Sequence, residues 1–176
     1  QARGALPGLQ RPAVSAMVPP MTAPHHPSQS PGYSLDEINA ALKSHFGFSS
    51  FRAHQEEIVS SILAGRDVFA ALPTGGGKSL CYQLPALLTC GLTVVVSPLI
   101  SLMKDQVDAA RENGIAASFL NSTLEPEEIH RIWRELSEGS IRLLYVAPER
   151  LSNPRFRADL ASLDVTLFAV DEAHCI

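Results

Sequence analysis

From residue 34 onward the apolar positions follow two alternating rhythms. Ile38, Leu42 and Phe46 recur at helical spacing behind Ser34-Leu35-Asp36-Glu37, which reads as an N-cap with acids in the first turn. Gly47 is placed to stop that helix. A second helix is predicted over residues 53–63, ending at Gly65. Strands and helices then alternate, with strands predicted over 67–72, 92–97, 116–120, 141–146 and 165–170 and helices over 78–89, 101–112, 126–137 and 155–162. The runs Thr93-Val94-Val95-Val96, Leu143-Leu144-Tyr145-Val146 and Leu167-Phe168-Ala169-Val170 are almost continuously apolar, as parallel strands covered on both faces are. The alternation predicts an α/β fold, a parallel sheet flanked by helices with right-handed crossovers, and there is no internal repeat.

Composition changes this picture at the N-terminus. Residues 1–33 hold seven of the thirteen prolines, and their only formally charged side chains are Arg3 and Arg11. Such a stretch buries too little apolar surface to offset its ordering entropy, so it is expected to be a disordered tail ahead of one domain, residues 34–176. The adjacent His25 and His26 in that tail read as incidental, not as a metal site. The whole chain has 176 residues, 45% apolar, which suits a single core. Its formal charge of −4 excludes a generally basic nucleic-acid binder, so any DNA contact must be local. Cys81, Cys90 and Cys175 show no CxxC spacing, which speaks against a zinc site or a disulfide framework and suits a reducing compartment. No apolar run approaches a membrane span, and no signal-peptide core is visible. The chain opens on Gln1 and stops directly after an acidic motif, so it reads as a fragment, with Met17 or Met21 as candidate starts.

Two motifs carry candidate chemistry. Leu72-Pro73-Thr74-Gly75-Gly76-Gly77-Lys78-Ser79 lies between a predicted strand and a predicted helix. Glycines let successive N–H groups turn toward phosphates, and a helix N-terminus adds the positive end of its dipole. Lys78 would then reach the β- and γ-phosphates, and the Ser79 hydroxyl would ligate magnesium. Leu72 stands where the general phosphate-loop pattern has glycine, and a glycine turn capping a helix is the bland alternative. The second motif, Asp171-Glu172-Ala173-His174, follows the last apolar strand, at the strand end where α/β proteins place ligands. Asp171 is the candidate magnesium carboxylate, Glu172 the group that orients or deprotonates water, and His174 a γ-phosphate sensor. A lone acidic pair is otherwise a solvated turn.

With both motifs present, residues 42–176 resemble RecQ-type DNA helicases of superfamily 2. Phe46-Gly47-Phe48-Ser49-Ser50-Phe51-Arg52-Ala53-His54-Gln55 is similar to the family's adenine-reading motif. The resemblance implies that Gln55 bonds the adenine edge, Phe48 stacks on the base and Arg52 touches the nucleotide; core packing is the competing reading for the phenylalanines. Residues 72–88 resemble the family's phosphate-loop motif, with Thr74, Gly75, Gly76, Gly77, Lys78 and Ser79 as nucleotide contacts. The segments Ser97-Pro98-Leu99-Ile100-Ser101-Leu102-Met103-Lys104-Asp105-Gln106, Leu120-Asn121-Ser122-Thr123 and Tyr145-Val146-Ala147-Pro148-Glu149-Arg150-Leu151 resemble those that face DNA, and Asp171-Glu172-Ala173-His174-Cys175-Ile176 resembles the DEAH box. Ser101, Lys104, Asn121, Ser122 and Arg150 become DNA-backbone candidates, each with a helix cap or a solvated side chain as its alternative. The resemblance implies a RecA-like P-loop NTPase domain, truncated after the DEAH strand, that uses ATP and Mg2+. It implies single-stranded and partly duplex DNA and a second RecA-like domain as partners, and 3′-to-5′ unwinding in repair and recombination. The expected location is cytoplasmic and nucleoid-associated, or nuclear in a eukaryote. It further implies that a later strand, absent here, inserts between the phosphate-loop strand and the DEAH strand, so this piece alone would bind nucleotide weakly and not unwind DNA. The rivals are a small-molecule kinase built on the same loop and a non-catalytic, partner-binding motor half.

Overall fold

The computed structural model describes residues 32–73 and 75–173. The expected tail up to residue 31, Thr74 and His174 therefore lie outside the described residues. The first helix, α1 (Leu35–Phe46), forms where its caps dictate. The Ser34 hydroxyl accepts from the Glu37 N–H at 3.2 Å, and the Ser34 N–H donates to the Glu37 carboxylate at 2.8 Å, a reciprocal capping box. Gly47, at φ 70°, ends the helix in the left-handed region. Helix α2 (Gln55–Leu63) starts two residues later than predicted, because His54 takes a left-handed φ of 67°.

The remaining elements are α3 (Leu80–Leu88), β1 (Leu92–Val96), α4 (Ile100–Glu112), β2 (Ala117–Leu120), α5 (Pro126–Ser137), β3 (Leu143–Val146), α6 (Pro148–Leu151), α7 (Pro154–Ala161) and β4 (Val165–Val170). The short α6 is not in the sequence prediction. The four strands form one parallel sheet in the order β2-β3-β1-β4. Strand alternation divides the core. Val95, Leu143 and Tyr145 pack with Tyr82 and Ala86 of α3 and with Met103, Val107 and Ala110 of α4. Val94, Leu144 and Val146 pack on the other face with Ile132 and Leu136 of α5 and Phe156 and Leu160 of α7. A further cluster joins α1 and α2 to the outer side of α3 through Ile38, Leu42, Val59, Leu63, Leu80 and Leu84. Tyr33 packs against this cluster, and its hydroxyl donates to the Leu88 carbonyl.

Two expectations need correction. The run predicted as a strand over residues 67–72 is not one: its backbone joins no sheet, and the Phe69 side chain is 93% exposed. A strand exists only with a hydrogen-bonding neighbour, and among the described residues none pairs with this run. The run Leu167-Phe168-Ala169-Val170 is not covered on both faces. β1 and β3 are wholly buried, but β4 alternates, with Leu167 and Ala169 packed inward and Phe168 and Val170 about half exposed (48% and 53%). β4 stands at the sheet's edge; Val165 at its start packs against the cluster of α5 and α7, and Phe168 and Val170 are not part of that cluster.

Candidate nucleotide site

In a parallel sheet every strand ends on the same side, and the candidate residues gather there. The Asp171 N–H donates to the Val96 carbonyl at 2.9 Å, which fixes the end of β4 against the end of β1. Glu172 follows at a left-handed φ of 49°. Its N–H donates to Asp171 Oδ1 at 3.0 Å, which closes a tight bend between the two residues. From the loop before α3, Lys78 Nζ donates to Glu172 Oε1 at 2.7 Å, an ion pair between residues 94 apart in sequence. Both side chains are partly buried. The bond from Glu172 holds the Lys78 ammonium above its ordinary pKa, against a smaller opposing effect of desolvation and with further help from the charges of Glu172 and Asp171. Lys78 is thus held fully charged where a polyphosphate would arrive.

The loop is shaped by contacts that the sequence alone does not reveal. Gln55 is 3% exposed, and its Nε2 donates to the carbonyls of Gly76 (3.2 Å) and Gly77 (3.1 Å). Its Oε1 accepts from the Arg52 N–H at 2.8 Å, and the Arg52 guanidinium donates to the Gly75 carbonyl at 2.7 Å. The residues expected to read adenine therefore grip the backbone of the phosphate loop. Gly77 has φ 75°, and a Cβ there would lie 2.5 Å from Gln55 Nε2, so only glycine fits. Phe48 is half exposed. Ser79 is the N-cap of α3, so the hydroxyl expected to hold magnesium stands at a helix N-terminus.

The sequence reading does not single out Tyr82. Its hydroxyl lies 3.5 Å from Asp171 Oδ2. The available signal was faint: one phenol between Cys81 and Gln83, three residues past Ser79. Burial above all pushes the Cys81 thiol up to about 11, so it is an inert packing group. Three or more His, Cys, Asp or Glu side chains do not gather into a metal cluster among the described residues. The donor set here, one hydroxyl and one carboxylate, suits a magnesium ion whose other ligands are phosphate oxygens and water.

Residues 52–176 match the DEAD/DEAH box helicase family. The chain belongs to the DEAD/DEAH box helicase family. It is 48% identical over 143 residues to the ATP-dependent DNA helicase RecQ of Bacillus subtilis, covering 81% of this chain and 24% of that protein. It is 50% identical over 137 residues to RecQ of Haemophilus influenzae, covering 78% of this chain and 22% of that protein. The chain thus spans about a quarter of the length of these relatives. The helicase Lhr of Mycobacterium smegmatis, solved with single-stranded DNA and AMP-PNP, shares the fold with a TM-score of 0.59 at 22% identity, covering 78% of this chain and 20% of that one. The parallel sheet and its flanking helices are the RecA-like architecture of such helicase domains.

The DNA candidates of this helicase domain also lie beyond strand ends. Ser101 and Lys104 are exposed on α4, after β1, and Ser122 is exposed after β2. Asn121 is buried, and its Oδ1 accepts from the Thr123 N–H (2.9 Å) and hydroxyl (2.8 Å), closing a turn. The Arg150 guanidinium donates to the Asn121 carbonyl, tying the loop after β2 to α6. Asn121 and Arg150 thus hold the loop after β2 in shape.

Proposed function

We propose that this chain is the ATP-binding part of an ATP-dependent 3′-to-5′ DNA helicase of the RecQ type, acting in DNA repair and recombination. The ion pair between Lys78 and Glu172 carries the reading. It brings the phosphate-loop cation and the water-activating carboxylate to one point, from segments 94 residues apart. Similarity to RecQ proteins over some four-fifths of the chain supports it. Lys78 would exchange Glu172 for the β- and γ-phosphate oxygens of ATP. Glu172, so released, would take the proton of a water whose oxygen attacks the γ-phosphorus as the bond to the β-phosphate oxygen breaks. Ser79 and Asp171 would hold Mg2+, which when bound neutralises charge on the phosphates. His174 would contact the γ-phosphate, Thr74 and the glycines the phosphates, and Phe48 with Arg52 and Gln55 the base side. Single-stranded or partly duplex DNA would cross the edge that carries Ser101, Lys104, Ser122 and the Asn121–Arg150 loop, against a second RecA-like domain.

In the full-length protein, Lys78→Ala is expected to lower ATP hydrolysis about a hundredfold or more while single-stranded DNA binding persists. ATP turnover by the parent protein should rise when single-stranded DNA is added. Retained turnover in Lys78→Ala would overturn the site, and a parent rate indifferent to DNA would overturn the motor reading in favour of a small-molecule phosphotransferase.

A further inference from the structure

We infer that Tyr82 is a positioning residue whose hydroxyl orients the Asp171 carboxylate toward the place where a divalent ion would bind. The inference rests on the nucleotide-site reading above. Tyr82 sits in the first turn of α3, three residues past Ser79, and is 6% exposed. Its hydroxyl lies 3.5 Å from Asp171 Oδ2, at the outer limit of a hydrogen bond. That length leaves the carboxylate oxygen free to turn toward a cation. The other carboxylate oxygen is already committed to the Glu172 N–H. Tyr82 is fixed from behind. Its ring meets Tyr145 of β3 edge-on, with centroids 6.3 Å apart and planes at 76°, and the Tyr145 hydroxyl accepts from Gln83 Nε2 at 3.2 Å. Tyr145 is fully buried, so neither ring has room to swing.

A phenylalanine would fill the same volume, and burying a hydroxyl is costly unless it is used. Tyr145 also begins the Tyr-Val-Ala-Pro-Glu-Arg segment that leads to Arg150 and the Asn121 loop. The same pair of rings thus joins the acidic tip of β4 to the base of the candidate DNA loop.

The test is the magnesium dependence of nucleotide binding, measured with a fluorescent ADP analogue titrated against MgCl2 in the full-length protein. Tyr82→Phe keeps the ring and removes only the hydroxyl. It is expected to raise the Mg2+ concentration that half-saturates the tightening of ADP binding about three- to tenfold, while affinity without Mg2+ changes less than about twofold. Tyr145→Phe should shift the Mg2+ requirement in the same direction and by less. A Mg2+ requirement equal to the parent's in Tyr82→Phe would overturn the inference. Equal losses of affinity with and without Mg2+ would also overturn it, since they mark a merely structural role. If Tyr82→Phe loses its folded circular-dichroism signal, the Tyr145→Phe titration decides by the same criterion. A parent protein whose ADP binding ignores Mg2+ would instead sink the nucleotide-site reading itself.

Discussion

At the scale of single residues, Gln55 matters most for how a sequence motif is understood. Its family motif points to the adenine edge, yet in the folded chain its amide bonds the carbonyls of Gly76 and Gly77 and its oxygen the Arg52 N–H. A buried amide that loses these partners leaves loop carbonyls unpaired, at a cost of about 1–3 kcal/mol. Gln55→Ala is therefore expected to weaken binding of inorganic tripolyphosphate, which has no base, about tenfold along with ATP. A residue that only reads adenine would leave tripolyphosphate affinity untouched, and calorimetry on both ligands separates the two. Lys78 shows the converse. Its residue type and place in the loop were legible from glycine and lysine spacing, because that chemistry is local. Its partner Glu172 became its partner only through the sheet.

Elements form here to the extent that their determinants are local. Helix α1 has its N-cap, its first-turn acids and its C-terminal glycine within fourteen residues, and the predicted limits match. Helix α5 likewise starts on Pro126 behind a capping pair, Glu125 and Glu128, where the pattern put it. Residues 67–72 have strand-like composition but no adjacent strand, so their backbone stays open. That predicts a cleavage site. Brief chymotrypsin treatment should cut after Phe69 well before it cuts within β1 or β3, and mass mapping of the first fragments would check this. First cuts inside the buried strands would contradict the open segment.

Across the whole molecule the formal charge of −4 forces any DNA contact to be a local arrangement. The parallel sheet gathers every strand end, and with it Lys104, Arg150, Lys78 and the acidic pair, on one side. Of the five DNA candidates only Lys104 and Arg150 are cationic. In the full-length protein Lys104→Ala should therefore flatten the dependence of single-stranded DNA affinity on salt, by about 0.7 in the log–log slope. An unchanged slope in a binding series at several salt concentrations would remove Lys104 from the interface. Arg150→Ala should cost more than its charge, because its guanidinium also ties down the Asn121 loop.

The sequence by itself determined the α/β class, the order of nearly all elements, and a phosphate-type loop ahead of a helix, since periodicity, caps and glycine placement act within a dozen residues. Only the tertiary structure decided that one face of β4 stays bare, that Gln55 grips the phosphate loop, and that Tyr82 meets Asp171 and Tyr145. These outcomes depend on which distant segments become neighbours, and a side chain's partner across the sheet leaves no mark on the residues beside it in the chain.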